Sequence, residues 1–507
     1  MPAPAAAHRA IPGRAGRLSA RGGVEQSGRL CQIVAMIRFD RRKPIQALQS
    51  QHVEGGLRRS LGWPHLVALG VGAIVGTGIY TLIGEGADKA GPAVLLSFGI
   101  AGLVCVFAGL AYAELAAMMP AAGSAYAYSY AALGETIAWI VGWSLILEYS
   151  VVCSAVAVGW SGYAIGFLEA ANVHVPHALV AGPHAGGLIN LPAVFIVALV
   201  AGLLAIGTRE SAAVNAVLVV IKITALLAFI AVAGPRFDLA NFQPFAPYGF
   251  GAVEDGDIKR GVMAAAAIIF FAFYGFDAVS TAAEEAKRPE RDLPIGILGS
   301  MVICVLLYIA VAATAVGALP FEQFAKSKEP LAHILRALQQ PWLAGVVGLA
   351  AVIAMPTVIL AFLYGQSRIF FAMARDGLLP QRLAVVNKRT GSPLLMTGLT
   401  ALAVAAIAAF FPLGEIAALA NAGTLCAFIA VGAALMALRL HEPSRARPYR
   451  APLAFLVGTA TILGCAYLFI SLQGRTIVYF FLWNGVGLAI YWLFARRASV
   501  LGKAERA

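Results

Sequence analysis

Gly70-Val71-Gly72-Ala73-Ile74-Val75-Gly76-Thr77-Gly78-Ile79-Tyr80 decides how this chain is read. It lies inside the first long apolar run, yet four of its eleven residues are glycine. Glycine weakens a helix by ~1 kcal/mol relative to alanine. In hydrocarbon, freed backbone groups need protein or a polar cavity around them. A Gly-Thr-Gly break at mid-membrane depth is therefore one of two things. It is a close helix contact, for which Gly72 and Gly76 supply small-xxx-small spacing, or a place where the backbone itself binds something. A second interruption, Phe270-Phe271-Ala272-Phe273-Tyr274-Gly275-Phe276-Asp277, falls in the sixth apolar segment. Interrupted helices at matching positions of two halves point to the midplane site of a secondary transporter. Half-helix N-termini carry partial positive charge suited to a carboxylate. The opposite half-helix ends offer carbonyls suited to an ammonium, so the pair is complementary to a zwitterion.

The composition sets the solvent. Of 507 residues, 60% are hydrophobic and 12% charged, with a mean hydropathy of +0.81. Soluble domains are about a quarter charged, so this is an integral membrane protein in contact with lipid bilayer. Its apolar runs are continuous and long enough for helices, not the ~10-residue alternating segments of a β-barrel. Cys105, Cys153, Cys304, Cys426 and Cys465 lie in or beside apolar runs and Cys31 lies upstream, with no metal or pairing spacing; they read as small buried residues.

Residues 1 to 35, rich in Ala, Gly and Arg, read as disordered or as an upstream extension, with Met36 an alternative start. Twelve apolar segments follow, at roughly 66–86, 91–119, 134–166, 189–207, 212–233, 261–283, 293–317, 342–373, 394–412, 414–438, 452–473 and 476–495. The third and eighth exceed the ~20 residues that span a bilayer and must tilt or protrude. With the termini and even-numbered loops on one side, that side holds 27 of the 37 Lys and Arg residues. The positive-inside rule places it, and both termini, in the cytoplasm. The net charge of +12 is thus a topology signal that needs no nucleic-acid partner. His174, His177 and His184 share one outer loop; solvated loop histidines are the reading there, ahead of a metal site.

Charged groups inside apolar helices usually face the bundle interior or a water-filled path. Lys222 lies mid-segment, where removal from water disfavours the charged ammonium. It is a candidate proton carrier, or a fixed strut bonded to carbonyls of the broken first helix. Glu148, half-way along the third segment, either lines the pocket or is a structural acid. Asp277 follows the second break and reads as a cap of the lower half-helix. Glu114 and Arg368, near segment ends, read as structural or gating groups.

These residues resemble the cationic amino acid transporter branch of the amino acid–polyamine–organocation superfamily. The matching stretches are 72–80, Tyr112-Ala113-Glu114-Leu115 with Pro120 and 123–126, 271–277, Glu284-Glu285-Ala286-Lys287-Arg288-Pro289, and Tyr364-Gly365-Gln366-Ser367-Arg368. Together the resemblance covers about residues 40 to 495. It implies an all-α integral membrane fold of the leucine-transporter type, with twelve transmembrane helices. Residues 1–60 would be a cytoplasmic tail, 61–233 a first inverted repeat (helices 1–5) and 261–438 a second (helices 6–10). Helices 11 and 12 would occupy 452–495, and 496–507 would form a cytoplasmic C-terminal tail in a cell-membrane protein.

The resemblance further implies that backbone amides around Gly76, Thr77 and Gly78 hold a substrate carboxylate. The substrate ammonium would meet carbonyls near Ile74, Phe271, Ala272 and Tyr274, with Phe271 also a gate. Lys222 would stand where sodium-coupled relatives bind Na⁺, which implies proton coupling or sodium independence. Glu148 and Met355 would touch the substrate side chain. Relatives with a smaller residue near Met355 take arginine and lysine, whereas methionine fills the space a long side chain needs. The expectation is a proton-coupled permease for small or neutral L-amino acids. Cationic amino acid transport or amino acid/polyamine exchange is the alternative, and a non-transporting sensor a third. No cofactor or metal is expected, and no nucleophile–base pair or metal-ligand spacing points to an enzyme. Oligomeric state and accessory subunits are left open.

Overall fold

The computed structural model describes residues 41–46, 48, 61–121, 123–206, 212–256, 258–283, 286–384 and 394–504. The expectations for residues 1–35, for Met36 and for Glu284-Glu285 lie outside the described residues. Two helical breaks organise the rest. Helix α1 (Trp63–Ile74) stops at an extended Val75 and Gly76, and the chain resumes as α2 (Thr77–Tyr80) and α3 (Leu82–Ala90). After α4 (Val94–Met118) and a short α5 (Ser124–Ala132) comes α6 (Glu135–Ala170), followed by α7 (Leu191–Ile206) and α8 (Ala212–Ala233). A small hairpin of β1 (Val253–Asp255) and β2 (Ile258–Arg260) leads into the second broken helix. Helix α9 (Val262–Ile269) tightens into a 3₁₀ turn over Phe270–Phe273, passes an extended Tyr274, and resumes as α10 (Phe276–Thr281).

Then follow α11 (Pro289–Ala318), a short α12 (Pro330–Ala337), and α13 (Pro341–Arg375), which runs through Pro356. Helices α14 (Leu394–Phe410), α15 (Leu413–His441), α16 (Ala454–Ser471) and α17 (Gly474–Ile490) complete the bundle. Among the described residues nine helices are long and apolar enough to cross a membrane; α1, α7 and α14 are apolar but shorter. The chain is an all-α, multi-pass membrane protein.

Packing follows from the solvent. Lipid tails are as apolar as leucine, so helix association relies on close contact and polar ties in place of hydrophobic burial. Helix α6 packs along α13 and α15, and α1 packs on α11. At the last contact a Cβ on Gly70 would stand 2.4 Å from the Ser300 hydroxyl oxygen, so only a bare backbone fits. Polar ties cross the bundle at depth: Trp160 Nε1 donates to the Val352 carbonyl (2.8 Å), and Gln366 Nε2 to the Ile146 carbonyl (3.1 Å).

Ionic ties gather at the helix ends. Glu114, at the end of α4, accepts from Arg439 (2.6 Å) and lies 3.1 Å from Arg447 Nε, which fixes the loop after α15. Residues 41–46 form a strap over that same end of the molecule. Its Lys43 Nζ meets Asp376 Oδ1 at 2.6 Å, and Tyr126 donates to the other carboxylate oxygen at 2.8 Å. Burial pulls the pKa of Lys43 below that of a free lysine, and the Asp376 carboxylate beside it pushes back upward. The Arg368 guanidinium stacks on the ring of Tyr364, 3.3 Å from the centroid. On another loop His174 and His177 are exposed, and His184 approaches Glu415 at 3.5 Å.

Candidate functional site

The two breaks touch. A Cβ on Gly78 would fall 2.3 Å from Ala272 Cα, and one on Gly275 would fall 2.7 Å from the Ala73 carbonyl carbon. Each glycine is therefore set against the backbone of the opposite break. Gly275 also holds φ +109°, a conformation that side chains disfavour. The break in α1 exists because glycine at 76 and 78 leaves the helix weak and lets another chain close in. That in α9 exists because Gly275 turns the chain out of the 3₁₀ turn. Asp277 holds the restart: its Oδ1 accepts from the Gly275 amide (3.2 Å) and its Oδ2 from the Tyr149 hydroxyl (3.3 Å).

Between the breaks lies a narrow cavity of only about 10 Å³. The first break contributes Ala73, Ile74, Gly76, Thr77 and Gly78; the second contributes Phe271 and Tyr274. The far wall is apolar: Val152 and Val156 from α6, Val358 and Phe362 from α13. Both pairs are spaced i, i+4 and so share a helix face. The rings of Phe271 and Tyr274 lie 5.1 Å apart, and Phe362 packs on Tyr149 at 5.0 Å. Thr77, Phe271, Tyr274 and Phe362 are all buried around it. Amides in the first turn of a helix have no partner within it, and those of α2 begin at this cavity. A carboxylate placed there meets donors, while its side chain faces valine and phenylalanine.

The anticipated residues are distributed as follows. Ile74, Gly76, Thr77, Gly78, Phe271 and Tyr274 line the cavity. The Ile74 carbonyl accepts from the Tyr308 hydroxyl at 2.9 Å. Ala272 stands behind the wall, against Gly78. Met355 is fully buried one turn from Val358, its sulfur 3.8 Å from Thr77 Oγ1. Glu148 is off the wall, one turn from Val152 along α6, with α15 closing over it at Gly423. Lys222 donates to the Gly72 carbonyl (2.7 Å) and to Thr357 Oγ1 (3.0 Å), tying α8 to the broken helix and to α13.

Several members of the site were not singled out from sequence. Val152, Val156, Val358 and Phe362 sit on helices that are apolar all round, so no stripe marks their inward face. Thr357 and Tyr308 are polar residues in apolar helices, which was a usable signal. Asn421 was another: its amide donates to the Ile268 carbonyl (3.1 Å), and the Tyr274 hydroxyl donates to its side-chain oxygen.

The amino acid permease family model matches residues 61–494. The branched-chain amino acid permease BcaP of Bacillus subtilis (strain 168) is 45% identical, over 91% of this chain and 99% of its own length. The methylthioribose transporter of the same organism is 40% identical over the same shares. The vacuolar cationic amino acid transporter 2 of Arabidopsis thaliana is 37% identical over 80% of this chain and 63% of its own.

Proposed function

This chain belongs to the amino acid permease family, and from that premise we propose that it is a proton-coupled, secondary active importer of neutral aliphatic L-amino acids. One observation carries the reading: two interrupted helices, in contact through glycine, enclose a cavity with backbone groups on one side and apolar side chains on the other. None of the described side chains that line it carries a charge. The backbone of Gly76, Thr77 and Gly78 would take the carboxylate. Carbonyls near Ile74, Phe271, Ala272 and Tyr274 would take the ammonium, with Ile74 exchanging its Tyr308 bond for it. The wall of Val152, Val156, Val358 and Phe362 suits an aliphatic side chain, in keeping with the branched-chain permease among its relatives.

Twelve membrane passes and two inverted five-helix repeats fit the packing. Helix α1 lies on α11 as α9 lies on α4, and α6 pairs with α13. Residues 61–233 would form one repeat and 261–438 the other, followed by helices within 452–495. Both termini would be cytoplasmic, which puts the Lys43 strap at the inner end. Alternating access would then be rocking of one bundle against the other around this site. Lys222 would take part in proton coupling, because loss of its charge releases α8 from both α1 and α13. The relatives are transporters, and no step here calls for a chemical reaction.

The test is uptake into proteoliposomes with an inward proton gradient and no sodium. Labelled alanine, valine and leucine should accumulate, and arginine should not. Preferential arginine uptake would support the cationic reading that the plant relatives raise. Movement only after preloading with amino acid would make the protein an exchanger.

A further inference from the structure

We infer that Glu148 is a proton seat of the transport cycle: a neutral carboxylic acid sealed between α6, α15 and the second break while the site is closed, and ionised when the bundle opens. The inference rests on the proton-coupled reading above. Glu148 is fully buried, neither carboxyl oxygen meets a partner at good hydrogen-bond geometry, and the Thr424 hydroxyl is the donor beside it. A carboxylate stripped of water and poorly supplied with donors carries a large cost unless it is paired or neutral.

Nothing around it supplies a pair. The groups that face it are Tyr112 of α4, Tyr274 of the second break, Asp277 of α10, and Thr424 and Cys426 of α15, with Tyr149 beside it on α6. Helix α13 adds the neutral Gln366, bonded to the Ile146 carbonyl and to Ser150. None of these is a cation, and no described lysine, arginine or histidine forms an ion pair with Glu148. The nearby Asp277 has what Glu148 lacks: an amide donor, a tyrosine donor and a helix N-terminus. Two neighbouring carboxyls do not readily both ionise, and here the amide and tyrosine donors go to Asp277, which leaves Glu148 only the Thr424 hydroxyl beside it.

Glu148 therefore differs in kind from Lys222, whose ammonium has two acceptors in hand. It lies one turn from Val152, so separating α6 from the second break would admit water to both the cavity and the acid. The step is a plain ionisation: the carboxyl O–H breaks, the pair stays on oxygen, and the proton passes to entering water.

The experiment compares wild type with Glu148→Gln, which keeps the shape of the neutral acid and cannot ionise. With membrane potential clamped at zero, a gradient of one pH unit drives about tenfold accumulation by a one-proton symporter. Wild type should reach that, and its uptake should fall as the outside pH rises. Glu148→Gln should show no accumulation and a flat pH profile, with its amino acid exchange followed as the measure of folded carrier. Accumulation retained in the variant would overturn the proposal. So would loss of exchange together with accumulation, which would mark Glu148 as structural.

A second readout does not depend on coupling. The infrared difference between wild type and Glu148→Gln at neutral pH should contain a carboxylic-acid carbonyl band. Absence of the band overturns the proposal. A band in a wild type that never accumulates substrate overturns the coupling reading, and with it the transported proton, while leaving the buried acid in place.

Discussion

Met355 shows how one side chain can set the size of a site it does not line. Its sulfur touches Thr77, and Val358, one turn along α13, forms the wall. A methionine there fills the space beyond the valines with a flexible thioether. Met355→Ser would join that space to the cavity and leave a hydroxyl at its end. Truncating a buried methionine to alanine costs ~2–5 kcal/mol in a packed core, so a lower Tm is expected alongside the change in preference. The measurement is competition: unlabelled arginine against labelled leucine, wild type beside variant. Arginine should compete better in the variant, and an unchanged ratio would remove Met355 from specificity. Lys222 belongs to the same scale but answers a different question. Its two bonds reach α1 and α13, so its loss strands two buried acceptors at ~1–3 kcal/mol each whatever it does with protons. Retention of full pH-dependent uptake in Lys222→Ala would leave it a strut only.

The broken helices act as elements through the contact between them. Gly78 brings side-chain-free backbone against the Cα and Cβ of Ala272, and neither can retreat without opening the cavity. Gly78→Ala is therefore expected to abolish uptake and to destabilise by ~1–3 kcal/mol, the usual range for overpacking. Gly99→Ala on α4 is the control, since a Cβ there meets nothing within 4 Å and alanine is the better helix former. Thermal unfolding and leucine uptake, measured together, separate the two; a Gly78→Ala carrier with normal uptake would mean that the breaks need not touch. Both breaks were legible in the sequence because glycine and charge stand out in a membrane-length run, and Asp277 was legible as a cap for the same reason. The inward faces of α6 and α13 were not. A helix apolar all round carries no stripe, so Val152 and Phe362 look like their lipid-facing neighbours. Helix α12 and the β1–β2 hairpin were missed because they lie in the connections between apolar runs, although α12 turns Leu331, Ile334 and Leu335 inward on one face. Nor could spacing reveal that Lys222 would find Thr357, a partner brought near only by the fold. Segment lengths misled in one respect: α1 is short because its own break ends it, while α3 and α4 run together across the turn at Pro92.

At the scale of the whole molecule, the narrow site is matched by a stapled end. The strap brings Lys43 to Asp376 at the foot of α13, and Tyr126 of α5 joins the same carboxylate. Arg41 lies 3.4 Å from Glu135 at the start of α6 and also donates to the Arg496 carbonyl near the C-terminus. Tyr130 and Tyr491 complete the shell around Glu135 at 2.8 and 3.1 Å. Four separate parts of the chain thus converge at one end, which under the proposed topology is the inner end that the rocking bundles would open. Removing one partner of a buried pair typically costs ~3–5 kcal/mol, and each ~1.4 kcal/mol shifts a two-state balance tenfold. If the staple holds the inner end shut, Lys43→Ala should populate the inward-open form. Amide hydrogen exchange over α5 and the end of α13 would then quicken, and substrate would leak out of loaded vesicles. The charge reversal Lys43→Asp with Asp376→Lys distinguishes a latch from mere packing, since it restores the pair while disturbing the surrounding side chains. Recovery of slow exchange in the double variant would assign the closure to the ion pair. Exchange as fast as in Lys43→Ala would assign it to the fit of the strap, leaving Lys43 one contact among several.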